Sequence, residues 1–155
     1  MPDKNIALDG PDLRSLVVDT TVAAPPRTVW DAWASSGGIA SWWNPPGMNV
    51  ELRVGGPFEL YFDIDAAPGS RGSEGCVFLG YVPGEMISFT WNAPPHLALR
   101  ESHTWVVITF SGAKLGTHVR LVHTGFGTGD DWDAYMAYFR EAWAYVLDLL
   151  TEHWR

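Results

Sequence analysis

The sequence predicts an α+β fold in which a curved antiparallel sheet of six to seven strands wraps around one long C-terminal helix. The chain has 155 residues, which is the size of one ordinary domain with its own core. Segments typical of strands follow one another through the middle of the chain, and such strands form antiparallel sheets. The last segment carries an apolar stripe at helical spacing, which one face of the sheet must cover.

The first predicted elements are a strand and two short helices. Residues 1–12 are polar and contain two prolines, so we expect a flexible lead-in to a single domain over 13–155. Residues 13–24 are rich in valine and threonine and predict a strand. Pro25 and Pro26 end it, and proline is tolerated in the first turn of a helix. The two short helices are expected over residues 27–35 and 38–43.

Six further strands are predicted, joined mainly by hairpin turns. Gly55 and Gly56 mark the turn of the first hairpin. The predicted strands are residues 48–54, 57–65, 76–82, 86–91, 103–110 and 117–124. In the second of these, four apolar side chains alternate onto one face. They are Phe58, Leu60, Phe62 and Ile64.

The register of the last hairpin determines which side chains face the helix. If residues 112–116 form the turn, Trp105 lies opposite His123. We expect this pair to face the helix, with Val106 and Ile108 on the outer face of the sheet. His123 would then lie beside an indole on a largely apolar wall.

The final segment, residues 132–155, predicts a long amphipathic helix, with Asp130 as the candidate N-cap. About 24 residues rising 1.5 Å each give a helix roughly 36 Å long. Its apolar residues recur at spacings of three and four. These are Trp132, Tyr135, Met136, Phe139, Trp143, Val146, Leu147 and Leu150.

The composition excludes several classes of protein. The 18 acidic and 10 basic residues give a net charge of −8, which disfavours general binding to nucleic acid or to anionic membranes. The single cysteine, Cys76, excludes an internal disulfide framework and a cysteine-rich zinc site. No apolar segment reaches the roughly 20 residues of a membrane span, and the N-terminus lacks a signal-peptide core. We therefore expect a cytoplasmic protein.

Several short motifs follow one another in an order typical of a known family. They are VWDAW (29–33), SWW (41–43), RVGGPF (53–58), FTW (89–91), LVHTGF (121–126) and AWAYVLDLL (142–150). Together they resemble the START-like, or SRPBCC, helix-grip superfamily. Within it, they are most similar to the domain family named after activators of the ninety-kilodalton heat-shock chaperone's ATPase. The resemblance spans about residues 15–154.

The resemblance implies a cavity between the sheet and the long helix that holds an apolar or amphipathic small molecule. It does not imply one activity, because relatives include lipid carriers, hormone receptors, polyketide cyclases and co-chaperone domains. The 21 aromatic residues, nine of them tryptophan, either fill this space or line it. A cavity of roughly 300 Å³ or more would support ligand binding.

Eight residues are the candidate ligand-binding set, in which aromatic side chains form apolar walls and Tyr61 and His123 act as polar anchors. The set is Tyr61, Phe62, Trp91, Trp105, His123, Met136, Phe139 and Trp143. A histidine bonded to neighbouring groups in the core is the structural alternative for His123. No metal or cofactor is expected, because the histidines and the cysteine lack metal-ligand spacing.

The leading hypothesis is a non-catalytic protein that binds an apolar small molecule. One alternative is a cyclase-like or hydrolase-like enzyme with His123 as general base, although no nucleophile or carboxylate partner is identifiable and no catalytic residue is assigned. The other is a co-chaperone-type interaction module with a chaperone partner. A homodimer formed through exposed rings is compatible with all three.

Overall fold

The structure is a computed structural model and describes residues 14–155. These residues form seven strands and three helices. The predicted lead-in, residues 1–12, lies outside this range. In chain order the elements are β1 (Arg14–Val22), α1 (Pro26–Asp31), α2 (Ser36–Ala40), β2 (Gly47–Val50), β3 (Phe58–Tyr61), β4 (Phe78–Val82), β5 (Met86–Trp91), β6 (Thr104–Ala113), β7 (Gly116–Phe126) and α3 (Asp130–His153).

The strands form two antiparallel sheets. The larger sheet has the order β1-β7-β6-β5-β4, and β2 pairs with β3 in the smaller one. The two are joined where Pro57 bridges Val77 and where the Phe58 N–H donates to the Cys76 carbonyl over 2.8 Å. Because β1 pairs with β7, the first and last of the described strands lie side by side. The predicted α+β fold is confirmed, with its seven strands divided five and two.

The long helix α3 packs its apolar stripe into the core, as its spacing predicts. The buried side chains are Tyr135, Met136, Phe139, Trp143, Val146, Leu147 and Leu150. Asp130 is the first residue of the helix, and Gly129 takes the cap position in place of the predicted Asp130. Gly129 has φ +113°, a backbone conformation that glycine adopts without a Cβ clash. None of the described helices is both long and apolar enough to cross a membrane.

Both short helices are present and begin one or two residues earlier than predicted. Pro26 occupies the first turn of α1, as expected. The side chain of Ser35 accepts the Gly38 N–H over 3.0 Å, so the second helix is capped before its glycine pair. This cap explains why Gly37 lies inside α2 rather than ending α1.

The predicted register of the last hairpin is wrong by one residue. Val106 pairs with His123 and Ile108 with Leu121, and only two residues separate Ala113 from Gly116 at the turn. A turn shorter than the predicted five residues changes the pairing by one position, which exchanges the faces of β6. Val106 and Ile108 are therefore buried in the core rather than placed on the outer face.

Trp105 consequently lies on the outer face of the sheet. Its ring covers Gly125, where a Cβ would come within 2.6 Å of the indole. Gly125 also has φ +95°, so both the backbone and the neighbouring ring favour glycine here.

The alternating face predicted for residues 57–65 is correct only in its first half. Phe58 and Leu60 are buried, whereas Phe62 and Ile64 are 44% and 49% exposed. Strand β3 ends at Tyr61, because the N–H groups of the next two residues both turn toward the carbonyl of Arg71, at 2.8 and 3.0 Å. The chain then enters a loop, and the period-two pattern no longer applies.

Candidate functional site

A cleft of about 740 Å³ lies between the middle of α3 and two loops, one around residues 62–72 and one around 92–100. It is open to solvent on one side and exceeds the roughly 300 Å³ at which small-molecule sites begin. Its lining residues are Trp43, Phe62, Asp63, Ser70, Arg71, Gly72, Trp91, Asn92, Ala93, Pro94, Pro95, Arg100, Tyr138, Phe139, Glu141, Ala142, Trp143, Tyr145 and Val146.

Four rings form what we call the aromatic floor of the cleft: Trp43, Trp91, Phe139 and Trp143. The ring centroids of Trp91 and Trp143 are 5.4 Å apart, and Trp43 lies 6.2 and 6.0 Å from these two. Phe139 stacks beside Trp143 at 6.2 Å. Aromatic rings at these separations attract one another, so the floor is a fixed apolar surface rather than a set of mobile side chains.

Three partly exposed rings stand at the edge of the floor: Phe62 from the first loop, and Tyr138 and Tyr145 from α3. Tyr145 is 64% exposed. Exposed rings around an apolar depression are typical of surfaces that contact a ligand or a partner.

Behind the floor, a chain of hydrogen-bonded side chains is centred on His123. The indole N–H of Trp143 donates to His123 Nδ1 over 2.9 Å, and His123 Nε2 lies 2.6 Å from Thr104 Oγ1. An indole nitrogen can only donate, so Nδ1 is the acceptor and Nε2 carries the proton. The Thr104 hydroxyl then donates to the Trp91 carbonyl over 3.4 Å.

His123 is fully buried, and burial lowers its pKa to about 3. The imidazole is therefore neutral at neutral pH, and both ring nitrogens are engaged by core side chains. This arrangement corresponds to the structural alternative for His123, a histidine bonded to neighbouring groups in the core.

One wall of the cleft is held by Arg100, which joins the two loops. Its guanidinium donates to the carbonyls of Ala93, Gly69 and Gly72, the last two at 2.7 and 2.9 Å. The same group lies 3.5 Å from the carboxylate of Glu74. Arg100 therefore links the loop after β5 to the loop after β3.

Glu74 completes this wall from the other side. Its carboxylate accepts the backbone N–H groups of Gly69, Arg71 and Gly72, the last two at 2.8 and 2.9 Å. Burial acts to raise the pKa of Glu74, but these N–H groups and the charge of Arg100 outweigh it and lower the pKa below its usual value. The turn over residues 69–72 is thus held from two sides: the Glu74 carboxylate accepts its N–H groups, and the Arg100 guanidinium donates to its carbonyls.

Replacing Arg100 with alanine should lower the free energy of unfolding by about 2 kcal/mol, because hydrogen bonds from a charged group contribute about 1.5–3 kcal/mol. Urea denaturation followed by circular dichroism measures this change. Arg53→Ala is the matched control, because Arg53 is exposed and its guanidinium has no ion-pair partner other than Glu51, at 3.4 Å, among residues 14–155. Its effect should stay within about 0.5 kcal/mol. Equal effects of the two substitutions would contradict the role assigned to Arg100.

The structure brings four of the eight candidate residues to the cleft and places the other four elsewhere. Those that line it are Phe62, Trp91, Phe139 and Trp143. Met136 and His123 are buried in the core, and Trp105 lies on the outer face of the sheet.

Tyr61 lies on the opposite face of β3 from the buried Phe58 and Leu60. Its hydroxyl donates to Glu59 Oε1 over 2.5 Å. Burial, followed by this hydrogen bond and the Glu59 charge, raises the pKa of Tyr61 to about 12. The side chain is thus bonded within its own strand, away from the cleft.

Sequence reasoning identified Phe62 at the edge of the floor but neither Tyr138 and Tyr145 nor the polar wall. Asn92 and Arg100 belong to a long connection without periodicity, and no sequence signal places them. Tyr138 and Tyr145 do carry a signal, because they flank the apolar stripe of α3 at helical spacing. Within residues 14–155, no three histidine, cysteine or acidic side chains come together as a metal site.

The chain matches the model of one protein family, and its fold is similar to that of several solved structures. The family model described as "Activator of Hsp90 ATPase homolog 1-like protein" matches residues 23–154. No curated protein matches the chain in sequence.

Several solved structures share this fold at low sequence identity. Protein MLL2253 from Mesorhizobium loti is 22% identical with a TM-score of 0.71, covering 90% of this chain and 96% of that one. The Aha1 dimer from Colwellia psychrerythraea is 17% identical with a TM-score of 0.67, covering 91% and 96%. CalU16 from Micromonospora echinospora is 20% identical with a TM-score of 0.65, covering 90% and 73%.

Proposed function

The chain belongs to the family of activator of Hsp90 ATPase homolog 1-like proteins, within the START-like superfamily, and on that premise we propose that it binds an apolar or amphipathic small molecule. The site is the cleft between α3 and the loops after β3 and β5. The ligand has a flat apolar body that lies on the aromatic floor.

The observation that carries this proposal is the aromatic floor itself. Trp91 and Trp143 are nearly buried, yet both line a space of about 740 Å³ that the protein leaves open. Small-molecule sites are concave and mostly apolar, with a few polar groups that orient the ligand. Here the aromatic floor is apolar, and Asn92, Arg71 and Arg100 are among the polar residues that line the rest of the cleft.

We propose a binding role rather than a catalytic one. The enzyme alternative requires His123 as general base, and a general base must come within hydrogen-bond reach of the proton that it removes. His123 lies behind Trp143, with Nδ1 accepting from the Trp143 indole and Nε2 bonded to Thr104. A low pKa of about 3 also makes it a weak base.

The oligomeric state of the protein and its location in the cell remain predictions. The fold resembles the Aha1 dimer from Colwellia psychrerythraea, and a homodimer of this chain is one expectation that a measurement of molecular mass in solution would test. A chaperone partner and a cytoplasmic location are the other expectations that the sequence raised.

Titration with N-phenyl-1-naphthylamine, whose fluorescence rises in apolar surroundings, tests the proposed site. We expect saturable binding that Ala142→Phe weakens at least about tenfold, because Ala142 lines the cleft on α3 and a phenyl ring there occupies space that the probe needs. Ala144→Phe is the matched control, since Ala144 is exposed on the same helix and does not line the cleft. It should change the dissociation constant by no more than about twofold.

The absence of saturable binding in the unmodified protein would refute the proposed function. Saturable binding that Ala142→Phe leaves unchanged would show that the probe binds elsewhere, and would refute the assignment of the cleft.

A further inference from the structure

Asn92 is a polar side chain set into the apolar part of the cleft. It directly follows Trp91 of the aromatic floor, is only 7% exposed, and lines the cleft. Its Nδ2 donates to the Gly72 carbonyl over 3.2 Å. This bond fixes which way the amide faces, so the position of Oδ1 is also fixed.

The amide oxygen of Asn92 has no hydrogen-bond donor among residues 14–155. Some side-chain atoms of the described chain, such as Trp33 Nε1, are both sealed from solvent and without a hydrogen-bond partner. Asn92 Oδ1 is not one of these sealed atoms. Oδ1 is therefore not sealed from solvent, and Asn92 is one of the residues that line the cleft. If a bound ligand excludes water from this oxygen and offers no donor in its place, the unpaired acceptor makes the free energy of binding less favourable.

The amide is held rigidly in this orientation. The Gly72 carbonyl that receives Asn92 Nδ2 also receives the guanidinium of Arg100 over 2.9 Å. Arg100 in turn lies against Glu74 at 3.5 Å. Asn92 therefore cannot exchange its oxygen for its NH₂ group without giving up a hydrogen bond to Gly72.

The charges around the cleft do not favour an anion in place of a neutral donor. Arg71 and Arg100 line it, but so do Asp63 and Glu141, and the chain as a whole carries a net charge of −8. A carboxylate beside Asn92 would place its oxygen against the oxygen of the amide, which accepts and does not donate.

We infer that the ligand carries a hydrogen-bond donor, a hydroxyl or an N–H group, which the Oδ1 of Asn92 accepts while the apolar body of the ligand lies on Trp91 and Trp143. The inference rests on the proposed function and specifies its ligand as a hydroxylated or amino-substituted aromatic molecule. A site that hydrogen-bonds a ligand hydroxyl discriminates against the analogue without it, because its own polar group is then left unpaired.

Three naphthalene probes of similar size test this inference by isothermal titration calorimetry at neutral pH. The probes are 2-naphthol, which donates; 2-methoxynaphthalene, which does not; and 2-naphthoate, which is anionic. We expect 2-naphthol to bind about three- to tenfold more tightly than 2-methoxynaphthalene, the range that one neutral hydrogen bond supplies. We expect 2-naphthoate to bind less tightly than 2-naphthol.

The substitution Asn92→Leu should remove the preference for 2-naphthol over 2-methoxynaphthalene, since leucine keeps the size of the side chain without its acceptor. Asn49→Leu is the matched control, because Asn49 is an exposed residue of β2 that does not line the cleft, and it should retain the full preference. The comparison of probes in the unmodified protein does not depend on whether the Asn92 variant folds.

The outcomes separate this inference from the proposed function. Equal affinity for 2-naphthol and 2-methoxynaphthalene in the unmodified protein overturns the inference and leaves the proposed function standing. Tighter binding of 2-naphthoate also overturns it, because the cations of the cleft would then dominate recognition. If none of the three probes binds and N-phenyl-1-naphthylamine also fails, both proposals fail.

Discussion

Lowering the pH from 6.5 to about 4.5 should reduce the free energy of unfolding by about 2–3 kcal/mol, because the folded protein excludes the protonated form of His123. Burial lowers the pKa of His123 from 6.5 to about 3 in the folded state. Between these values the unfolded chain binds a proton that the folded chain does not. Stability is therefore present above pH 6.5 and is lost as the pH falls toward 3.

Urea denaturation at a series of pH values measures this loss, and His123→Gln isolates it. Glutamine can accept and donate hydrogen bonds but does not titrate. Glu74, whose folded-state pKa is also lowered, adds a loss in the same direction at acid pH, and it does so in both proteins. The difference between the two curves therefore reports His123 alone. Parallel curves for the two proteins would contradict the buried, neutral state assigned to His123.

Replacing Trp143 with alanine should lower the free energy of unfolding by about 3–5 kcal/mol, the range for removal of a large buried aromatic side chain. Trp143 is 1% exposed and contacts Trp91 and Phe139 in the aromatic floor. Its loss leaves a cavity in the core and also removes the donor to His123 Nδ1. The transition midpoint in urea should fall accordingly.

Two variants divide this effect into its parts. Trp143→Phe keeps an aromatic ring and removes the N–H, so it should cost less than the alanine substitution. Tyr145→Ala removes an aromatic ring from the same helix at a position that is 64% exposed, and it should change stability by about 0.5 kcal/mol or less. If Trp143→Ala and Tyr145→Ala destabilised the protein equally, the assigned role of the floor in the core would be wrong.

The sequence predicts the fold well because its strongest signals are periodic. The stripe on α3 identifies Phe139 and Trp143 as buried, and both line the cleft. The proline pair marks the start of α1, and Gly55 and Gly56 mark the turn between β2 and β3, whereas Gly37 and Gly38 lie inside α2. These signals depend only on near neighbours in the chain, so one sequence is enough to read them.

Side-chain placement across the last hairpin depends on the length of its turn, which the pattern of apolar residues does not determine. Residues 103–110 carry apolar side chains on both faces of the strand. Either register would therefore place apolar side chains in the core, and the pattern does not distinguish the two. The two-residue turn settles the register and moves Trp105 to the outer face. The expectation that His123 faces the helix is unaffected, because β7 keeps its own face, but His123 pairs with Val106 rather than with Trp105.

The polar wall of the cleft depends on contacts between distant loops. Arg100 reaches Gly69 and Gly72 across roughly 30 residues of chain, and Asn92 reaches Gly72 across 20. Loops have no repeating pattern of burial from which such contacts can be inferred. The same residue types in the same segment would be read as solvent-exposed without the structure.

The pairing of β1 with β7 has a consequence for how the protein is made. Val22, at the end of β1, pairs with Thr117, which lies roughly a hundred residues later in the chain. A ribosome that adds about 5–20 residues per second needs about 5–20 s to synthesise this segment. During that time the nascent chain presents an edge strand rich in valine and threonine without its neighbour. A circular permutant that begins at β7 would shorten this delay.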